Sequence, residues 1–102
     1  MINIPVHSLI HDAIQRRDPE NAEEVFRNIE TQLGLPVSNG EKAELVLGGA
    51  VLAGVIHRFD YAREQLRLAT EYAPDDPGVR MQVDFISACM YDEEGKSVMQ
   101  RA

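Results

Sequence analysis

The chain has 102 residues, 44% of them apolar and 26% charged, a balance that suits one globular domain with a single core. Ten basic against seventeen acidic side chains leave a formal charge of -7, which opposes nucleic acid or an anionic membrane as partner, since binding there draws on Lys and Arg. Cys89 is the single cysteine, so no intrachain disulfide can form. Met1–Asp12 lacks a signal-peptide pattern, and the longest apolar run, Leu45–Ile56, is well short of the roughly 20 residues that a spanning helix needs. A cytoplasmic domain is expected.

Pro5 suits the first turn of a helix, and Val6, Leu9, Ile10, Ala13 and Ile14 recur at helical spacing up to Arg17. Asp18-Pro19 is a start signal, with Asp as N-cap and Pro at the first position. The second helix carries the stripe Ala22, Val25, Phe26, Ile29 and Leu33 and stops at Gly34 and Pro36. Ser38-Asn39-Gly40-Glu41 has capping-box spacing, and a third helix is expected to run to about Arg58. The fourth starts near Asp60 and ends before Pro74, with Tyr61, Ala62, Leu66, Ala69 and Tyr72 on its face. Asp76-Pro77 repeats the start signal for a fifth helix reaching about Tyr91. Asp92-Glu93-Glu94-Gly95 then reads as a turn and Lys96–Ala102 as a short helical stub. Strand signals are weak. The expected fold is all-α, a single domain over 1–102 with five helices and the stub.

Phe59, Ala62, Leu66, Ala69 and Pro74 keep a spacing that lets a helical hairpin close on its small residues, with Gly49-Ala50 one helix earlier. Over Ala43–Asp76 this resembles the tetratricopeptide (TPR) repeat, whose length is about 34 residues. A fainter copy, with Ala22, Phe26 and Ile29, lies forty residues earlier. The resemblance implies stacked antiparallel hairpins, with units at about 3–36, 43–76 and 77–102, the last truncated. Two positions depart from the family. Val46 stands where an aromatic residue is usual, and His57 where the turn glycine is usual.

From Ala43 to Ile56 the only charged residue is Glu44, so the third helix must be covered on nearly every side. It can be the plain central helix of a bundle. Alternatively, neighbours bury Val46, Gly49, Ala50 and Ala53, while Leu47, Val51 and Val55 face a groove. The TPR resemblance implies that the first helix of each unit lines a concave surface. That assigns His7, His11 and Ile14 from the first unit, then Leu47, Val51, Gly54 and Val55 from the second. The third unit supplies Met81, Phe85 and Cys89. The fifth helix has two apolar stripes, Val79-Val83-Ile86-Met90 and Met81-Phe85-Cys89, and the pattern does not decide which one faces the groove. Gly48, Gly49 and Gly54 each cost a helix about 1 kcal/mol relative to alanine, which a close helix–helix contact would explain.

Catalytic signals are sparse. His7 and His11 lie one turn apart near Asp12, a geometry that can hold a transition metal, but no zinc-protease glutamate follows His7 and no third histidine is near. They read better as surface or groove-lining residues. Cys89 sits in an apolar pattern with no histidine expected beside it. Gly48-Gly49 lies inside a helix rather than in a phosphate loop, and Asp92–Gly95 lacks the alternating oxygens of a calcium loop. No cofactor, no metal and no enzymatic activity are expected.

These readings point to a binding module that holds an amphipathic partner helix in an apolar groove. The layout also resembles the small TPR-like chaperones of bacterial type III secretion. It shares an amphipathic first helix, a Glu-Glu-containing second helix over Ala22–Leu33, and an apolar third helix over Gly40–Ile56. The turn Arg58-Phe59-Asp60-Tyr61-Ala62 and a Cys-containing helix over Val79–Tyr91 complete it. That resemblance implies pairing with a small helical co-chaperone and sheathing of the needle subunit before export. The alternative is a self-associating structural or regulatory protein, whose Leu47, Val51 and Val55 close a homodimer.

Overall fold

The computed structural model describes residues 6–101, with side chains described through Lys96. Every element in it is an α-helix: α1 (Val6–Arg16), α2 (Pro19–Leu33), α3 (Asn39–Val55), α4 (Phe59–Tyr72) and α5 (Pro77–Arg101). The all-α class and the five helices agree with the sequence pattern; the proposed role of Pro5 lies outside the described residues.

The local signals act where the chain carries them. Asp18 is extended at φ -97° and its carboxylate accepts the Glu20 N–H, with Pro19 starting α2. Ser38 Oγ accepts the Glu41 N–H at 3.2 Å and caps α3. Asp76 Oδ1 accepts from the Gly78 and Val79 N–H groups at 2.9 and 3.2 Å. Each cap satisfies donors that the first helical turn leaves without partners. Gly34 ends α2 in right-handed geometry, φ -79°, with its N–H on the Glu30 and Thr31 carbonyls, so α2 stops without using glycine's left-handed freedom.

Two boundaries differ from expectation. α3 ends at Val55, three residues earlier than the periodicity predicts, because His57 turns left-handed at φ 63° and starts the hairpin. α5 does not turn at Asp92–Gly95 but continues to Arg101, so no separate stub exists. Side chains on this stretch hold it helical. Lys96 reaches Asp92 at 3.2 Å one turn back, and Arg63 of α4 binds Glu94 at 3.1 Å and Asp60 at 2.8 Å. The Lys96 pKa is raised, first by its hydrogen bond to Asp92. One interior glycine, Gly95, costs only about 1 kcal/mol and does not outweigh continuation.

α3 is the hub, with close backbone contacts to each of the other four helices. α1 and α5 flank it on either side and do not approach one another closely; α1 also packs on α2, and α4 on α5. Side chains join α2 to α4. Phe26 and Tyr61 rings lie 4.5 Å apart, and Arg58 pairs with Glu23 while its guanidinium stands 5.9 Å from the Phe26 ring. The result is a slab 17 Å in its thinnest dimension. Its core is built from Ile10, Ala13, Val25, Phe26, Ile29, Val46, Leu52, Leu66 and their neighbours. The small residues Ala22, Ala43, Ala53, Ala62 and Ala69 are all fully buried, which lets the backbones close.

Candidate functional site

Three of the four glycines of α3, Gly48, Gly49 and Gly54, serve different ends. A Cβ on Gly48 would stand 3.1 Å from Ile10 Cδ1 of α1. One on Gly49 would stand 3.3 Å from Ile29 Cδ1 of α2 and 3.7 Å from Gln65 Oε1 of α4. These two are the close helix contacts that interior glycines call for. Gly54 is otherwise: nothing lies within 4 Å of its Cβ position.

The space over Gly54 is a cleft of about 250 Å³ between α3 and α5. Val51, Gly54 and Val55 of α3 form its floor and Phe85, Ile86 and Cys89 of α5 one side, with Arg17, His57 and Glu93 as its polar lining. A second cleft, about 300 Å³, adjoins it between α1, α3 and α5, lined by His7, Ile14, Glu44, Leu47, Gly48, Val51, Gln82 and Ile86. Val51 and Ile86 belong to both. The two therefore form one groove with α3 as its floor and α1 and α5 as its sides. From Glu44 to His57 it follows about 20 Å of helix.

Arg17 and His57 share an unusual backbone. They are the two non-glycine residues with positive φ among the described residues, at 55° and 63°. Each comes just after a groove helix, Arg17 after α1 and His57 after α3, and both line the same cleft. Glycine ordinarily fills such a position, because a left-handed L-residue costs about 1–2 kcal/mol. His57 Nε2 lies 3.8 Å from Glu93 Oε2 and its ring stacks on Phe59 at 5.3 Å. Arg17 has no carboxylate within ion-pair distance among the described residues, although its neighbour Arg16 pairs with Asp12 at 2.9 Å.

The residues expected to line a partner groove divide as follows. Val51, Gly54, Val55 and Phe85 meet in the first cleft; Ile14, Leu47 and Val51 meet in the second. Leu47 is 3% exposed and forms floor, not free surface. Val46, Gly49, Ala50 and Ala53 are buried by neighbours. His11 is exposed on α1 and Met81 is 72% exposed on α5, and neither lines either cleft. The α5 stripe Val79-Val83-Ile86-Met90 packs on the core, while Met81-Phe85-Cys89 is exposed. The groove takes Ile86 from the first stripe and Phe85 and Cys89 from the second, so it falls between the two. Arg17, His57 and Ile86 were missing from the expected set. The signals were a non-glycine residue at each helix exit and, for Ile86, its place beside Phe85. Among the described residues no group of three or more His, Cys, Asp or Glu is placed to hold a metal ion, and no helix is long and apolar enough to cross a membrane.

Comparison with protein-family models, with curated proteins and with solved structures finds no match to this chain.

Proposed function

We propose that the chain is a non-enzymatic protein-binding adaptor or chaperone that holds an amphipathic partner helix in the groove over α3. The observation that carries this reading is the cleft over α3, apolar where Val51, Val55, Phe85, Ile86 and Cys89 surround the open Gly54. The groove's length of about 20 Å suits three to four turns of helix. Over Gly54 its lining is mainly aliphatic and aromatic, the surface into which an apolar helix face packs, while toward α1 His7, Glu44 and Gln82 make it mixed. A TPR-like arrangement, in which α1, α3 and α5 would be the first helices of the three units, belongs to the same proposal. A role as a type III secretion chaperone is the narrower form of this proposal.

Val51 is the test, because it is half-buried and shared by both clefts. The wild-type chain and Val51→Glu are purified gently from the source cell. Native mass is measured, any bound chain is identified and the purified pair is recombined. The expected result is a defined complex with wild type, none with Val51→Glu, and an unchanged helical circular dichroism spectrum. A Val51→Glu protein that unfolds would place Val51 in the core, as a buried unpaired carboxylate is costly, and would remove the groove.

A homodimer is the second reading. It is favoured by Met81 and Phe85, 72% and 70% exposed one turn apart on α5. Since Leu47 is buried, the self-interface would be centred on α5 rather than on α3. A clean dimer by native mass with no foreign chain would put this reading first.

A further inference from the structure

On α5 the stripe Val79, Val83, Ile86 and Met90 packs on the core. With about 3.6 residues per turn, the side of the helix farthest from that stripe carries Pro77, Met81, Asp84, Ala88, Tyr91 and Gly95, and all six are exposed. They recur at alternating intervals of four and three residues, the repeat by which two helices pair along a seam. Met81 and Tyr91 are 72% and 79% exposed, and Phe85 beside the row is 70% exposed. No residue of the row lines the groove over α3, and only Phe85, at its edge, borders both.

The row is its own complement when a second copy of α5 runs antiparallel to it. With Met81 level with Tyr91 of the second copy, Ala88 falls level with its Asp84 and Pro77 with its Gly95. One layer then sets a thioether on an aromatic ring, and the other two set a larger side chain against a smaller one. The two Phe85 rings meet beside the two-fold axis. The charges agree with this register. Arg63 of α4 binds two carboxylates, Glu94 at 3.1 Å and Asp60 at 2.8 Å, so that cluster keeps a net negative charge. Arg80 lies on the same α4-facing flank of α5, near the start of the row, and has no carboxylate within ion-pair distance among the described residues. Antiparallel pairing brings Arg80 opposite the Glu94 cluster of the second copy, and symmetry makes the contact twice. Asp92 and Lys96 already pair at 3.2 Å, and Glu93 lies on the groove side. Asp84 is the unfavourable group, since it stands about 6 Å along the axis from Asp84 of the second copy.

We infer that two copies of this chain pair through the outer row of α5, antiparallel, about a two-fold axis beside Phe85. This rests on the homodimer reading above and adds the face, the direction and the register. Met81, Phe85 and Tyr91 of both copies supply on the order of 900 Å², below the ~1,200 Å² at which stable interfaces begin. With a charge of -7 on each copy as well, the dimer is a weak one, forming at about 10–100 μM.

The test uses the full chain. Sedimentation across that concentration range reads the dimer constant. Ala88→Glu, at an exposed position outside the groove, should weaken the dimer at least about tenfold by placing a charge in the seam, with the helical circular dichroism spectrum unchanged. Asp84→Ala should tighten it about threefold, the range of an exposed charge contact. Glu24→Ala, which removes an exposed acid from α2, should not, and so separates seam charge from net charge. Register is read by crosslinking in a Cys89→Ser background. Met81→Cys and Tyr91→Cys proteins, mixed and oxidised with copper phenanthroline, should join to one another. Neither should join to itself, because its two copies lie about 15 Å apart along the axis. A wild-type chain that stays monomeric overturns this inference and the homodimer reading together. A dimer that survives Ala88→Glu, responds equally to Asp84→Ala and Glu24→Ala, or crosslinks through Met81→Cys alone leaves that reading standing and overturns the antiparallel pairing on this row.

Discussion

The middle and the end of α3 make an instructive pair. In the middle, Gly48 and Gly49 are pressed by Ile10, Ile29 and Gln65; one residue from the end, Gly54 has open space. All three are interior glycines of one helix, in ordinary right-handed geometry. In the middle the missing Cβ lets α1, α2 and α4 close on the hub, and the packing recovered offsets the lost helix propensity. At the end the same propensity is lost with no packing in return within this chain. The middle of α3 is therefore committed to folding, while its end is left open.

The contrast can be broken most severely in the committed region. Leu52 is 0% exposed, and Leu52→Ala should lower unfolding stability by about 2–5 kcal/mol, read by urea denaturation. A loss below that range would mean the core around α3 collapses readily on the space. Gly49→Val adds volume where Ile29 Cδ1 is 3.3 Å away from a single Cβ. It should cost about 1–3 kcal/mol through overpacking, and a neutral result would show α2 free to retreat.

Gly54→Ala should go the other way, gaining about 0.5–1 kcal/mol because nothing obstructs the methyl group. Gly95→Ala is its control, since Gly95 also has nothing within 4 Å and should gain a similar increment of about 0.5–1 kcal/mol. The two should differ in partner binding, weakened only by Gly54→Ala, as measured by displacement of a bound dye. Equal effects on binding would erase the distinction between the open glycine in the groove and the open glycine outside it.

The smallest effect is expected at Tyr61, which ties α4 to α2 through Phe26. Burial raises its pKa from 10.0, helped by Glu30 and Glu23 and opposed by Arg58. A raised folded-state value means that the native protein holds the phenolic proton more tightly than the unfolded chain does. The associated stability is present below pH 10.0 and is lost as pH rises through the folded-state value. Tyr61→Phe should flatten this alkaline decline in melting temperature while leaving the helical circular dichroism spectrum at neutral pH unchanged. An unchanged decline would assign it to other groups.

Much of the architecture was legible because it is local. Asp18-Pro19, Ser38 and Asp76-Pro77 start helices through bonds spanning two or three residues, and the stripe from Ala22 to Ile29 is a matter of period. The error at Asp92–Gly95 came from reading three acidic residues and a glycine alone, when an ion pair from Glu94 to Arg63, thirty-one positions away, helps hold them helical. Of the groove, Val51 and Val55 could be named from apolar spacing, and Gly54 and Phe85 through the TPR resemblance. Met81 could not be excluded that way, since a stripe shows which residues share a face and not what stands opposite.

The sequence by itself determined five helices, their caps and the apolar character of α3, since these depend on short-range hydrogen bonds and on side-chain period. Tertiary structure alone decided which glycine is filled and which is open, because that depends on where Ile10, Ile29 and Gln65 arrive from three other helices. It also decided that Arg17 and His57, forty positions apart, border one cleft in matching left-handed conformations. No local pattern carries that information: α3 and α5 build the cleft's walls, and its charged border comes from the packing of helices distant in the chain.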